Sequence, residues 1–103
     1  MKTSELLKKA KKLIADPANH LGGGRDPLIK GFPFEVKDKN GKAIKYCLMG
    51  AVWAQGHIRT SYLNEAADII FDRSPIWVND ALGYDAAHIV LDEAIRRAKA
   101  VGD

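Results

Sequence analysis

The stretch from Asp16 to Pro33 constrains the fold most, because Gly22-Gly23-Gly24 and the prolines Pro17, Pro27 and Pro33 interrupt any regular backbone period across it. No helix or strand can run through such a segment, so the apolar residues before it must find their partners in the chain after it. Those residues are Leu6, Leu7, Ala10, Leu13 and Ile14, spaced as one stripe of a helix, with Glu5, Lys8, Lys9, Lys11 and Lys12 on the opposite face. Thr3 or Ser4 is the expected cap, since a hydroxyl there accepts amide bonds that have no partner inside the helix. Asp16-Pro17 closes it, because the residue before a proline avoids helical dihedrals.

Beyond the break, Phe34 to Lys37 and Ala43 to Leu48 flank Lys39-Asn40-Gly41, and Asn-Gly suits the positive backbone angles of a tight hairpin turn. Phe34, Val36, Ile44 and Tyr46 are expected to face inward and Glu35, Lys37 and Lys45 outward. A lone hairpin is marginal in water, so helices must cover it. Cys47 to Gln55, short and apolar and closed by Gly56, reads as a buried helix at the centre of the core. Thr60 or Ser61 is the expected cap of a helix carrying Tyr62, Leu63, Ala66, Ile69 and Ile70. Ser74-Pro75 is a cap followed by proline at the first helical position, opening a short helix that Gly83 ends. Asp85 is the expected cap of the last helix, whose apolar stripe is Ala87, Val90, Leu91, Ala94, Ile95 and Ala98.

These elements fit one domain spanning 1–103: a small α+β fold, mainly helical, with about four helices and one β-hairpin. A chain of 103 residues, 47% hydrophobic and 28% charged, holds one core and not two. The longest uncharged apolar run, Tyr46 to Gln55, is ten residues, where a membrane span needs about 20. Met1 to Leu6 lacks the apolar stretch of a signal peptide. With Cys47 as its single cysteine the chain forms no internal disulfide and supplies no cysteine-based zinc site. A cytoplasmic protein without membrane contact is expected.

Charge is distributed unevenly. Residues 1–51 hold eleven basic and five acidic side chains, a net of +6, whereas residues 52–103 hold five basic and eight acidic, a net of −3. Lys2, Lys8, Lys9, Lys11 and Lys12 on the first helix and Lys37, Lys39, Lys42 and Lys45 on the hairpin carry most of the excess. Solvated faces are the plain reading of such lysines. As a binding surface, Lys8, Lys9, Lys12, Arg25, Lys39, Lys42 and Lys45 suit an acidic protein partner. Nucleic acid is the alternative, through phosphate contacts and counterion release, although interleaved aromatics and base-reading arginines are missing.

Catalytic readings are weaker. Cys47, His57 and Asn79 follow the order of a papain-like set, but if Cys47 and His57 bracket one helix they stand about 15 Å apart, against the roughly 3 Å that proton transfer needs. An unpaired cysteine is more often a small buried hydrophobe, so no catalytic residue is expected and a Cys47-dependent enzyme ranks as the second alternative. His20, His57 and His88 with Asp80 and Asp85 match no zinc or calcium spacing, so no metal is expected. Gly22-Gly23-Gly24-Arg25 lacks the preceding strand and following helix of a phosphate loop. No cofactor is expected there. Trp53, Trp77 and Phe71 are expected in the core, and Asn79-Asp80 is expected to bond local backbone and fix the turn toward Gly83.

Two segments, Tyr46-Cys47-Leu48-Met49-Gly50-Ala51 and Trp77-Val78-Asn79-Asp80 followed by Gly83 and a helix through Leu91 to Ala98, resemble a family of small bacterial and bacteriophage proteins of unknown function. Its pattern is an amphipathic first helix, a Cys-x-x-Gly-Ala helix, then Asn-Asp before a last helix. The resemblance marks Cys47, Gly50, Asn79 and Asp80, and departs from the pattern between Leu21 and Lys45 and at Val78. It carries no activity to transfer. It implies a phage or prophage setting, and with the lysines an accessory or anti-defence factor that engages a host protein.

Overall fold

A computed structural model describes residues 1–23, 34–56 and 58–103. The elements in chain order are α1 (Thr3–Leu13), a 3-10 turn (Pro17–Asn19), β1 (Glu35–Lys37), β2 (Ala43–Tyr46), α2 (Leu48–Trp53), α3 (Ser61–Phe71), α4 (Pro75–Trp77) running directly into a π-helical turn (Val78–Leu82), and α5 (Tyr84–Ala100). The expected α+β class, helical in the main with one antiparallel hairpin, is what forms.

Helix α5 is the spine. Its predicted stripe, Ala87, Val90, Leu91, Ala94, Ile95 and Ala98, is buried throughout, and α1 and α3 pack on either side of it. The small alanines let the neighbouring helices approach closely while Leu91 and Val90 fill the space between. Helix α1 runs antiparallel to α5, as three cross-contacts show: Thr3 meets Asp103, the Lys11 ammonium lies 2.6 Å from Asp92, and His88 bonds the Ile14 carbonyl at 2.7 Å. Leu7, Ala10 and Ile14 thereby become fully buried, as their spacing requires. Helix α2 enters the same core with five consecutive buried residues, Leu48 to Val52.

Several expected details resolve differently. Thr3 and Ser4 do not cap α1: Lys2 holds the cap position without a side-chain bond, and the first turn is satisfied from the far end of the chain. The Asp103 carboxylate accepts from the Thr3 amide at 3.2 Å and its hydroxyl at 3.0 Å, while the Asp103 carbonyl accepts from the Ser4 amide at 2.8 Å. A carboxylate here also meets the positive end of the helix dipole. At α3, Thr60 occupies the cap position with no side-chain bond. Gly83 and not Asp85 precedes α5. Ile69 and Ile70 are exposed, and α3 buries Leu63, Ala66 and Ala67 instead.

The hairpin turn is also looser than a two-residue Asn-Gly turn. The Gly41 amide bonds the Asp38 carbonyl at 3.0 Å and the Asp38 amide bonds the Lys42 carbonyl at 2.8 Å, with Gly41 alone of the turn residues at positive φ, +81°. This is a three-residue loop with a glycine bulge, and Asp38 Oδ1 braces it by accepting from the Asn40 and Lys42 amides. Glu35 pairs with Tyr46, Val36 with Lys45 and Lys37 with Ala43, so the register slips at Ile44. Val36 and Tyr46 pack against the core as expected, but Phe34 and Ile44 are exposed, Ile44 because the slip takes it off the paired face.

Candidate functional site

Asn79 and Asp80, expected to bond locally, are the hub of a buried polar clasp that joins three distant segments. The π-helical turn places Asn79, 1% exposed, so that all four hydrogen-bonding positions of its amide are used. Oδ1 accepts from the Leu48 amide at 3.0 Å and from His20 Nε2 at 2.6 Å, while Nδ2 donates to the Leu21 carbonyl at 2.9 Å and to Asp80 Oδ1 at 3.0 Å. The Leu48 amide can only donate and the Leu21 carbonyl can only accept, so the amide orientation is fixed. His20 must therefore carry a proton on Nε2. The Asn79 carbonyl adds bonds from the Gly23 and Gly83 amides at 3.0 and 3.1 Å.

Gly22 is needed for this close approach, since a Cβ there would stand 2.5 Å from the Asn79 carbonyl oxygen. Part of the glycine-rich stretch is therefore a fixed wall of the clasp. Gly24 and Arg25, the remainder of the phosphate-loop candidate, lie outside the described residues, as does His57. A row of rings, His20 against Tyr84 at 5.7 Å and Tyr84 against His88 at 4.4 Å, continues along the outside of the clasp. Tyr84 donates to the Ala15 carbonyl, and His88 meets the neighbouring carbonyl of Ile14. These contacts tie the C-terminal end of α1 to the start of α5.

Cys47, expected as the first residue of the helix, sits at the N-cap of α2, but the residue is 7% exposed and its Sγ accepts the Gly50 amide at 3.3 Å. Burial pushes the thiol pKa up and the Asp80 carboxylate pushes the same way, outweighing the Gly50 and Met49 amides that favour the thiolate. The group behaves as a capping hydrophobe. Among the described residues, no group of three or more His, Cys, Asp or Glu side chains is placed to hold a metal ion.

Lys8, Lys9 and Lys12 lie exposed on the face of α1 turned away from Leu7, Ala10 and Ile14, and Lys39, Lys42 and Lys45 lie exposed on the hairpin. Among the described residues none of these six forms an ion pair, in contrast to Lys11 with Asp92 and Lys37 with Glu35. Lys99 of α5 stands beside Lys8 and holds its ammonium pKa below the ordinary lysine range, with Glu5 pulling weakly the other way.

One feature had no signal in the hydropathy pattern. Trp53, expected in the core, is 47% exposed at the end of α2, and its ring meets the 42% exposed Phe34 edge-on at a centroid distance of 4.6 Å. Phe34, Glu35, Gly50, Trp53 and Ala54 line a pocket of about 360 Å³. Gly50 allows the hairpin to sit this close, since a Cβ would fall 2.0 Å from the Phe34 carbonyl oxygen, which also accepts the Cys47 amide at 2.9 Å. A glycine within an apolar helix was the available clue to that approach. Phe71 and Trp77 are half-buried at the edge of the core, and the Arg73 guanidinium lies 5.1 Å over the Trp77 ring.

Among the described residues, no helix is long and apolar enough to cross a membrane. Comparison with family models, curated proteins and solved structures finds no match.

Proposed function

We propose that this chain is a non-enzymatic binding module that engages an acidic protein through its lysine-rich faces. The observation that carries the reading is the set of six exposed ammonium groups that form no ion pair among the described residues: Lys8, Lys9 and Lys12 on α1, and Lys39, Lys42 and Lys45 on the hairpin. Exposed lysines offset by nearby carboxylates present little field, whereas these leave positive potential that steers and holds an anionic surface. The chemistry of the interior supports the same reading. The inviting polar residues, Cys47, Asn79 and Asp80, are buried and occupied with holding segments together. Arg25 joins the proposed contact set from its sequence position. The family resemblance supports a bacterial host protein as the partner and a phage or prophage accessory factor as the module.

The test is capture from bacterial lysate at physiological salt with the unmodified chain and two charge-reversed variants, Lys8→Glu/Lys9→Glu/Lys12→Glu and Lys39→Glu/Lys42→Glu/Lys45→Glu. A defined protein retained by the unmodified chain and lost by at least one variant is the expected result. Retention of nucleic acid instead, with an affinity that falls steeply with salt, replaces the reading with the polyanion alternative. Capture unaffected by either variant overturns it.

A further inference from the structure

We infer that the pocket between α2 and the hairpin is the anchor site for one large apolar side chain of an acidic peptide segment. The inference rests on the acidic-partner reading and adds where the partner is gripped. Two large aromatic rings, Trp53 and Phe34, stand 47% and 42% exposed on the pocket wall, although burying either would stabilise the chain. Their edge-to-face stack holds both rings in place, and Gly50 and Ala54 complete the wall with little side-chain bulk. The pocket of about 360 Å³ accommodates a single leucine, phenylalanine or tryptophan side chain. A tryptophan facing such a cleft is the composition of a binding hot spot.

The charge around the pocket selects the rest of the partner. Glu35, the ionisable residue among the described lining residues, is engaged by Lys37 at 3.5 Å, so its charge is partly offset. Phe34 and Glu35 begin the same hairpin that carries the lysines: Lys45 pairs across from Val36, one residue from Glu35. At about 3.3 Å per residue, an extended peptide anchored in the pocket passes Lys37 within two positions and reaches the Lys39 and Lys42 turn within about five. Asp38, which would oppose an acidic chain, has its Oδ1 taken by the Asn40 and Lys42 amides. The expected ligand is thus an apolar anchor followed or preceded within five residues by aspartates or glutamates.

The experiment titrates the full chain with three synthetic seven-residue peptides and reads tryptophan emission and calorimetric heat. The first has one leucine among glutamates, the second has serine in place of the leucine, and the third has lysines in place of the glutamates. The leucine–glutamate peptide should shift emission to the blue and bind at least tenfold more tightly than either control. Trp53→Ala and Ala54→Gln, both at exposed positions, should each weaken it about tenfold, whereas Asp68→Asn, exposed on α3, should leave it within twofold. Equal binding of the serine peptide overturns the anchor while leaving the lysine reading intact. Equal binding of the lysine peptide overturns the charge selection, and no binding of any peptide overturns the inference as a whole, with lysate capture still deciding the broader reading.

Discussion

Two polar knots tie distant parts of this chain together, and they work by opposite means. Around Asn79 a neutral amide, 1% exposed, uses all of its hydrogen-bonding positions inside the core. Around Asp103 a carboxylate at the protein surface gathers Thr3, the Tyr62 hydroxyl at 2.9 Å and, more loosely, Arg59 at 3.9 Å, while the Asp103 carbonyl accepts from the Ser4 amide. The first knot loses a great deal if any partner is removed, because a buried orphan cannot turn to water. In the second, water can replace what is lost, but the knot depends on charge and therefore on pH. The molecule thus has one end locked by geometry and one end held by a titratable group.

The largest expected effect comes from the buried knot. Asn79→Ala strands the Leu48 amide and the Leu21 carbonyl and should cost about 3 kcal/mol, at about 1–3 kcal/mol per orphaned buried group, read from urea unfolding. Asn79→Asp should cost a similar amount at neutral pH, because the new carboxylate cannot donate to the Leu21 carbonyl and faces Asp80. Part of that loss should return in acid, where the protonated carboxyl of the variant can donate. A pH-independent deficit would show that Asp80 and Leu21 are not what the amide serves.

Next is Gly50→Ala, which puts a methyl group against the Phe34 carbonyl oxygen and must push the hairpin away from α2. A cost of about 2 kcal/mol is expected from overpacking. An unchanged midpoint would show that the hairpin can lift off without loss to the core.

Asp103→Ala should lower the melting temperature less than either, and only in a defined pH window. Its bond to Tyr62, with those from Thr3, holds the Asp103 carboxyl below its ordinary value. The stabilisation is therefore fully present above about pH 4, the unfolded carboxyl range, and lost as pH falls through the lowered folded value. The melting curves of the unmodified chain and the variant should converge in acid. The same bond raises Tyr62 above its ordinary 10.0, so its contribution is lost only in strong alkali. Curves that stay parallel across the acid range would show that the carboxylate charge contributes nothing.

The smallest effect is expected on the lysine faces. Lys8→Gln should leave the melting temperature unlowered, since it relieves the charge repulsion with Lys99 while glutamine can keep a side-chain hydrogen bond to it. A clear loss would make that face structural and sharpen the division between knots and surface. Thiol labelling gives an independent check on the interior: Cys47 should react only as fast as the chain opens.

Most of the helical architecture was legible because it follows from periodicity. The stripes of α1 and α5 and the apolar run of α2 predict which residues are buried, since each helix must hide one face whatever it packs against. The Ser74-Pro75 start was legible for the same local reason, and the Ser74 hydroxyl accepts the Trp77 amide at 3.2 Å. Ile69 and Ile70 failed that logic because α3 turns a narrow face of Leu63, Ala66 and Ala67 to the core, leaving bulkier residues outside. Capping at α1 failed because a partner 100 positions away took the role a neighbouring hydroxyl usually fills. Of the candidate site, the lysines were legible from charge, while the aromatic pocket was hidden because α2 and the hairpin make it only together.

The sequence by itself determined a single small helical domain with one hairpin and a basic first half, because period, turn chemistry and charge are written locally. Tertiary structure decided that Asn79 is a clasp, that Asp103 serves the first helix, and that Trp53 faces out beside Phe34. Each of those depends on which distant groups come within about 3 Å of one another or leave a gap between them, and hydrogen bonds and pockets form at that range irrespective of separation along the chain.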